Sequence, residues 1–248
     1  MKDVSNFEFF HEIVNRYSNL KYALLKAQTF DPDHYGFPPV YYKILERDQQ
    51  RIAAFNRSFI QYNNFKDKIV CEAGAGTLAL AKHYLPFVKK AYWIESNPEI
   101  IPFIKRELIK NRWTKKVELI HSDALTVILP EKVDFIIGEL MSIFCANELQ
   151  VPVFKHLSKF LHPQGKLIPE KIINLAQLCH ATFETNYKHY PIFFTHHMPE
   201  QLTTQEIINA LDLYDIPDIH IKCSTPFIPT LGGRVNAVFL HSWVQLCE

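Results

Sequence analysis

Apolar residues recur at helical spacing near the start of the chain. Phe7, Phe10, Val14, Tyr17 and Leu24 fall close to a 3.6-residue period, which predicts an amphipathic helix over 7–27. The run Asp31-Pro32-Asp33-His34-Tyr35-Gly36-Phe37-Pro38-Pro39 breaks it. A second helix is expected over 41–62, with Ile44, Leu45, Ile52, Phe55, Phe59 and Ile60 as its buried residues. From 68 onward the pattern changes. Short apolar runs at 68–72, 91–95, 117–121 and 133–138 read as strands, and stretches at 78–85, 99–111 and 151–160 read as helices. That alternation requires a parallel sheet covered by helices, so the expected fold class is α/β, a doubly wound, mostly parallel sheet with N-terminal helices. The helix ending at 160 is expected to stop at His162-Pro163-Gln164-Gly165. Beyond 166 the stretches 167–183 and 234–246 look β-rich, 203–214 looks helical, and 187–199 is aromatic and irregular. Three regions follow: a helical segment over 1–64, a ligand-binding domain over 65–165 and a small β-containing region over 166–248.

Composition narrows the functional classes. With 248 residues, 48% of them hydrophobic, the chain can bury a substantial core. The formal charge of +1, from 27 basic and 26 acidic residues, gives no global pull toward nucleic acid. The pairs Lys89-Lys90 and Lys115-Lys116 read as solvated surface. Five cysteines lie far apart without a CxxC spacing, so neither a zinc site nor a disulfide framework is expected, and His196-His197 is too little for a metal. No apolar run is long enough for a transmembrane helix and no secretory h-region appears, so the expected compartment is cytoplasmic and the expected partners exclude a membrane.

Candidate chemistry gathers at the strand ends. The first strand runs into Glu72-Ala73-Gly74-Ala75-Gly76-Thr77, where Gly74 and Gly76 let the backbone turn and approach a ligand. The second strand ends in Glu95 and Ser96, 23 residues after Glu72, where a carboxylate can accept both hydroxyl hydrogens of a ribose. Asp123 and Ala124 follow the third strand, placed to meet an adenine amino group. A dinucleotide fingerprint shares the first two features, and Ala79 satisfies its third small position. Glu72, however, is poorly placed against a pyrophosphate and well placed near a cationic amino-acid end. Such sheets bind ligands at the carboxyl ends of their strands, in the Rossmann-like manner.

The end of the fourth strand carries a more specific likeness. Val133 to Ser142, followed by Ile143 to Glu148, resembles the protein arginine methyltransferases, in which two glutamates nine residues apart lie on a loop. Glu139 and Glu148 have that spacing, and Met141 matches the methionine of the family's E-W-M-G segment. Arg51 looks like the family arginine that holds the cofactor carboxylate. The segment 161–169 is similar to the family's L-x-P-x-G-x-x-x-P, and Ser224-Thr225-Pro226-Phe227 with 234–246, including Trp243, resembles the entry to its β-barrel. The resemblance spans roughly 35–246. It implies an S-adenosyl-L-methionine (SAM)-dependent methyltransferase acting on a guanidino or amine nitrogen, with Glu139 and Glu148 catalytic. Arg51, Glu72, Gly74, Gly76, Glu95, Ser96, Asp123 and Ala124 would bind the cofactor. Leu140, Ser142 and Leu78 depart from the family pattern, the T-H-W loop has no counterpart, and only the start of the barrel is present.

On one helix, a spacing of nine turns the second residue by about 900°, placing the two carboxylates on opposite sides. They converge only if a loop folds back, and closing so short a loop costs on the order of 2 kcal/mol. Converging carboxylates repel unless a cation intervenes, and a planar guanidinium can pair with both. Three alternatives stay open. One is a methyltransferase for a small metabolite or an RNA base; another is a non-catalytic SAM-fold binding protein. In the third, Glu139 is a capping or sugar-binding residue and Glu148 a solvated one.

Overall fold

A computed structural model describes residues 42, 45–62, 65–142, 145, 148–182, 199–216 and 224–248. The helix expected over 7–27, the buried position expected for Ile44 and the irregular stretch over 187–198 lie outside the described residues. Of the helix expected over 41–62, Tyr42 and Leu45 are helical, the chain turns at 46–48, and helix α1 (Gln49–Tyr62) starts afresh for a local reason. Asp48 Oδ1 accepts the Arg51 backbone N–H at 3.0 Å, capping the helix and fixing Arg51 in its first turn. Ile52, Phe55, Ser58 and Phe59 form the buried stripe. Ile60, expected to be buried, is 67% exposed, because it falls just outside that stripe.

Strands β1 (Ile69–Ala73), β2 (Lys90–Glu95), β3 (Val117–His121), β4 (Val133–Gly138) and β5 (Leu161–Ile168) form a parallel sheet in the order β3-β2-β1-β4-β5. Short helix α2 (Ala81–Tyr84) and helices α3 (Ile101–Lys110) and α4 (Gln150–Leu157) lie between these strands in sequence. The central strands are buried on both faces, which explains their unbroken apolar runs. Their residues divide with period two. Val70, Trp93 and Phe135 pack with Phe55, Phe59 and Tyr84 in one core. Cys71, Tyr92, Ile94 and Ile136 pack with Phe154 and Leu157 in the other.

Three expectations are corrected. The helix expected over 78–85 shrinks to α2, since Leu78 adopts a left-handed backbone, φ 67°, that cannot join a helix. The breakers His162-Pro163-Gln164-Gly165 lie within edge strand β5, where the register jumps from Val133↔Leu161 to Phe135↔Lys166. An edge strand tolerates a bulge and a proline because one side needs no ladder partner. The parallel sheet therefore runs on to Ile168. Finally, 203–214 contains strand β8 (Glu206–Asp212) rather than a helix. Its helix-forming Glu206, Ala210 and Leu211 are overridden by pairing with β6 (Lys171–His180), reinforced by an Asn174–Asn209 side-chain hydrogen bond of 2.9 Å.

In the second, antiparallel sheet β6 pairs along one side with β8 and, at its end, with β7 (Glu200–Gln201). On the other side it pairs with β9 (Ala237–Gln245). Buried Glu170, between β5 and β6, ties this sheet to α1. Its Oε1 accepts the hydroxyls of Tyr62 at 2.5 Å and Tyr214 at 3.2 Å.

Gly138 ends β4 against α4, and a Cβ there would lie 2.8 Å from Phe154 Cε2. Phe154 is fully buried and cannot swing aside. Gly138→Ala should therefore destabilise the fold by about 1–3 kcal/mol through overpacking. Urea unfolding measures this, and an unchanged midpoint would show that the α4 interface yields.

Candidate functional site

The strand order reverses between β1 and β4, and there the carboxyl ends of β1, β2 and β4 open into a cavity of about 240 Å³. Gly74 and Gly76 from the turn after β1 line it, with Glu72 at the strand end, Glu95 and Ser96 from β2, and Arg51 from α1. Leu140, Met141 and both Glu139 and Glu148 come from the segment after β4. Among the site residues singled out in the sequence, Asp123 and Ala124 alone do not border this cavity. Asp123 Oδ1 instead accepts the Leu125 N–H at 2.8 Å, tightening the turn after β3.

The turn after β1 is shaped by contacts that a side chain would block. Gly74 (φ 70°) and Gly76 (φ 50°) are left-handed, and a Cβ on Gly74 would lie 2.6 Å from Leu140 Cδ2. Gly74 and Ala75 donate to the Ile94 carbonyl at 2.9 and 3.1 Å, which seats the turn on β2. Glu95 then fastens its far end: one oxygen accepts the Gly76 N–H at 2.9 Å, the other the Asn97 N–H at 2.8 Å. Each oxygen keeps lone-pair capacity for a ligand hydroxyl. Leu78, where the resembling family has glycine, holds the same left-handed conformation with a fully buried side chain.

Beneath the turn lies a relay with no local sequence signal. Trp93 Nε1 donates to the Tyr84 hydroxyl at 2.8 Å, and that hydroxyl donates to Glu72 Oε2 at 2.5 Å. The three residues come from β2, α2 and β1 and meet only in the folded chain. Burial pushes the Glu72 carboxyl up to about 8; the Tyr84 hydrogen bond works against this and the Glu95 charge adds to it.

The wall formed by the segment after β4 is acidic. Arg51 Nη1 pairs with Glu139 Oε2 at 2.5 Å, while Nη2 donates to the Leu45 carbonyl at 2.8 Å. The guanidinium expected to hold a cofactor carboxylate thus rests on one of the two loop glutamates. Burial raises the Glu139 carboxyl above its ordinary value, and Arg51 opposes the rise. Glu148 reaches about 8, raised by burial and then by Glu139, and lowered by Arg51. Glu139, Glu148 and Arg51 thus line the same cavity, with Glu139 paired to Arg51. Tyr42, whose ring lies 3.0 Å from a Cβ built on Gly76, also borders the cavity, and sequence periodicity gave no hint of it.

A neutral Glu72 makes stability depend on pH. An unfolded glutamate loses its proton near pH 4.3, whereas the folded one keeps it to about 8, so the folded form loses stability as pH rises through that interval. Glu72→Gln preserves an acceptor for Tyr84 and has no proton to lose. Its melting temperature relative to wild type should therefore climb between pH 5 and pH 8 in thermal unfolding. A gap that stays flat would mean Glu72 ionises freely.

Comparison with known proteins agrees with this geometry. The family model described as PRMT5 arginine-N-methyltransferase matches residues 27–168. An uncharacterized protein of Methanocaldococcus jannaschii is 30% identical over 74% of this chain and 66% of its own length. Histone-arginine methyltransferase CARMER of Drosophila ananassae is 31% identical over 50% of this chain and 23% of its own. The chain thus spans less than two thirds of these relatives. Among solved structures, Arabidopsis thaliana protein arginine methyltransferase 10 superposes with a TM-score of 0.58 at 19% identity, covering 68% of this chain and 60% of that one. The Trypanosoma brucei PRMT1 enzyme-prozyme complex with AdoHcy gives 0.58 at 18% identity, covering 75% and 64%. Both likenesses concern the fold. With the match running from before α1 through the glycine turn and both loop glutamates to the end of β5, the chain belongs to the PRMT5 arginine-N-methyltransferase family.

Proposed function

We propose that this protein transfers a methyl group from SAM to a guanidino nitrogen of an arginine side chain. The observation that carries the reading is that Glu139 and Glu148 line the same cavity as the turn after β1, with the Arg51 guanidinium paired to Glu139. The cofactor pocket fits the adenosine end. Gly74 and Gly76 let the turn pass close against Leu140 and Tyr42 on the cavity wall, and Glu95 has lone pairs free for a ribose. Ser96 stands beside Glu95, Glu72 faces the same space for a cationic amino end, and Asp123 with Ala124 would meet the adenine edge. The cofactor supplies an electrophilic methyl on a sulfonium. Arg51 would meet its carboxylate, releasing Glu139 to the acceptor.

Glu139 and Glu148 bind the acceptor from two sides, with charge-assisted hydrogen bonds to its forked N–H groups. Held this way, the guanidinium cannot rotate, and its positive charge is drawn toward the carboxylates. The remaining terminal nitrogen keeps electron density aimed along the transfer line. Burial of the two carboxyls strengthens each ion pair. The same reading puts the protein in a reducing cytoplasmic compartment, where Cys71 and Cys179 remain buried thiols.

Labelled SAM incubated with core histones and with a short arginine-containing peptide tests the activity. Methylated arginine after hydrolysis supports it, and label on lysine, hydroxyl or nucleobase groups refutes the acceptor assignment. Glu139→Gln and Glu148→Gln should each lower turnover by about two orders of magnitude, with SAM affinity changing far less. The double variant should be little worse than the poorer single one, since the two carboxylates act as a unit.

The pH dependence has a definite sign. Because Glu148 holds its proton to about 8 and the cationic acceptor needs the ionised form, kcat/KM should rise with pH and level off above that value. Glu148→Gln should flatten the slope along with the rate. A wild-type profile already level from pH 6 would remove Glu148 from the acceptor site.

A further inference from the structure

The segment between Glu139 and Glu148 has an unusual closure. Gln150, the first residue of α4, is fully buried. Its side-chain Oε1 accepts the Leu140 N–H at 2.8 Å, and its own N–H donates to the Leu140 carbonyl at 3.1 Å. Both backbone polar groups of Leu140 are therefore held by one residue, and the two hydrogen bonds bridge the chain across ten positions. Glu139 immediately precedes one foot of this bridge, and Glu148 lies two residues before the other. Leu140 also presses its Cδ2 against Gly74, at the contact that excludes a Cβ there.

Stability alone does not account for a glutamine at this place. Its Nε2 is buried without a hydrogen-bond partner among the described residues, a cost that leucine or methionine of similar volume would avoid. What neither could supply is the oxygen that holds Leu140. We propose that Gln150 is a positioning residue that closes the acceptor loop, setting the separation of Glu139 and Glu148 and seating Leu140 against the turn after β1. Gln150 does not line the cavity and so acts through the loop rather than on substrate. This assignment rests on the methyl-transfer reading for its functional consequence but not for its structural one.

The test compares Gln150→Leu, which keeps bulk and removes the acceptor oxygen, with Gln150→Glu. The carboxyl that Gln150→Glu introduces is fully buried, which favours its protonated form, so its carbonyl oxygen can still accept from Leu140. Methyl transfer to core histones, SAM affinity by calorimetry and the carboxyl carbon resonance of Glu148 in 13C-glutamate-labelled protein are measured for each. In Gln150→Leu the kcat should fall by about a hundredfold, as expected for a misplaced catalytic pair, while SAM affinity stays within about threefold. Glu148 should then titrate closer to the ordinary carboxyl range, because opening the loop hydrates it and separates it from Glu139. Gln150→Glu should recover most of the rate and the high titration point.

Wild-type kinetics and an unchanged Glu148 titration in Gln150→Leu would overturn the assignment. So would a parallel loss of SAM binding, rate and melting temperature in both variants, which would mark Gln150 as a general packing residue. If wild-type protein moves no methyl group to arginine while the Glu148 titration still shifts in Gln150→Leu, the loop assignment stands and the activity falls.

Discussion

Carboxyl groups gathered on the wall of one cavity organise this site. Glu72, Glu95, Glu139 and Glu148 border one cavity of about 240 Å³, and Arg51 is the basic residue on its wall among the described residues. A buried carboxylate must be given N–H donors, a cation or a proton. The four differ in which they take. Glu95 takes two backbone N–H groups, Glu139 takes Arg51, and Glu72 and Glu148 hold protons to about 8. From this difference follow their separate settings: Glu95 is a fixed anchor of the turn, Glu72 ends the three-residue relay from Trp93 through Tyr84, and Glu139 is the partner of Arg51.

The parallel sheet supplies the rigidity that such an arrangement needs. β1, β2 and β4 bring their carboxyl ends to one level, because each pairs in parallel with its neighbour and each is buried on both faces. Side chains at those ends inherit the strands' positions and lose little further entropy when ordered. In the segment after β4, Leu140 is tied to α4 by the two hydrogen bonds of Gln150, and Glu139 is tied to α1 by Arg51.

Much of this was legible in the chain. Strand ends, the glycine turn, Glu95 and the spacing of Glu139 and Glu148 are local features, and local features survive without knowledge of the fold. Three kinds of information were not local. The Glu72–Tyr84–Trp93 relay joins residues whose neighbourhood is created only by strand pairing. Gln150 looks like any helix-opening polar residue until Leu140 is placed beside it. Residues 206–212 carry helix-forming side chains, and only the free edge of β6 makes them a strand. Conversely, His162 to Gly165 looked like a terminator because proline and glycine usually are, whereas an edge strand absorbs them as a bulge.

The Tyr62–Glu170–Tyr214 junction has a mechanical consequence. Helix α1 is pinned at its last residue to the joint between the two sheets and carries Arg51 in its first turn, eleven residues away. At 1.5 Å per residue that separation is about 16 Å, spanned by a continuously hydrogen-bonded rod. The helix thus carries the position of the sheet joint to the cavity wall, where Arg51 is paired with Glu139. The antiparallel sheet, whose described residues stand apart from the cavity wall, is thereby connected through one helix to the guanidinium on that wall.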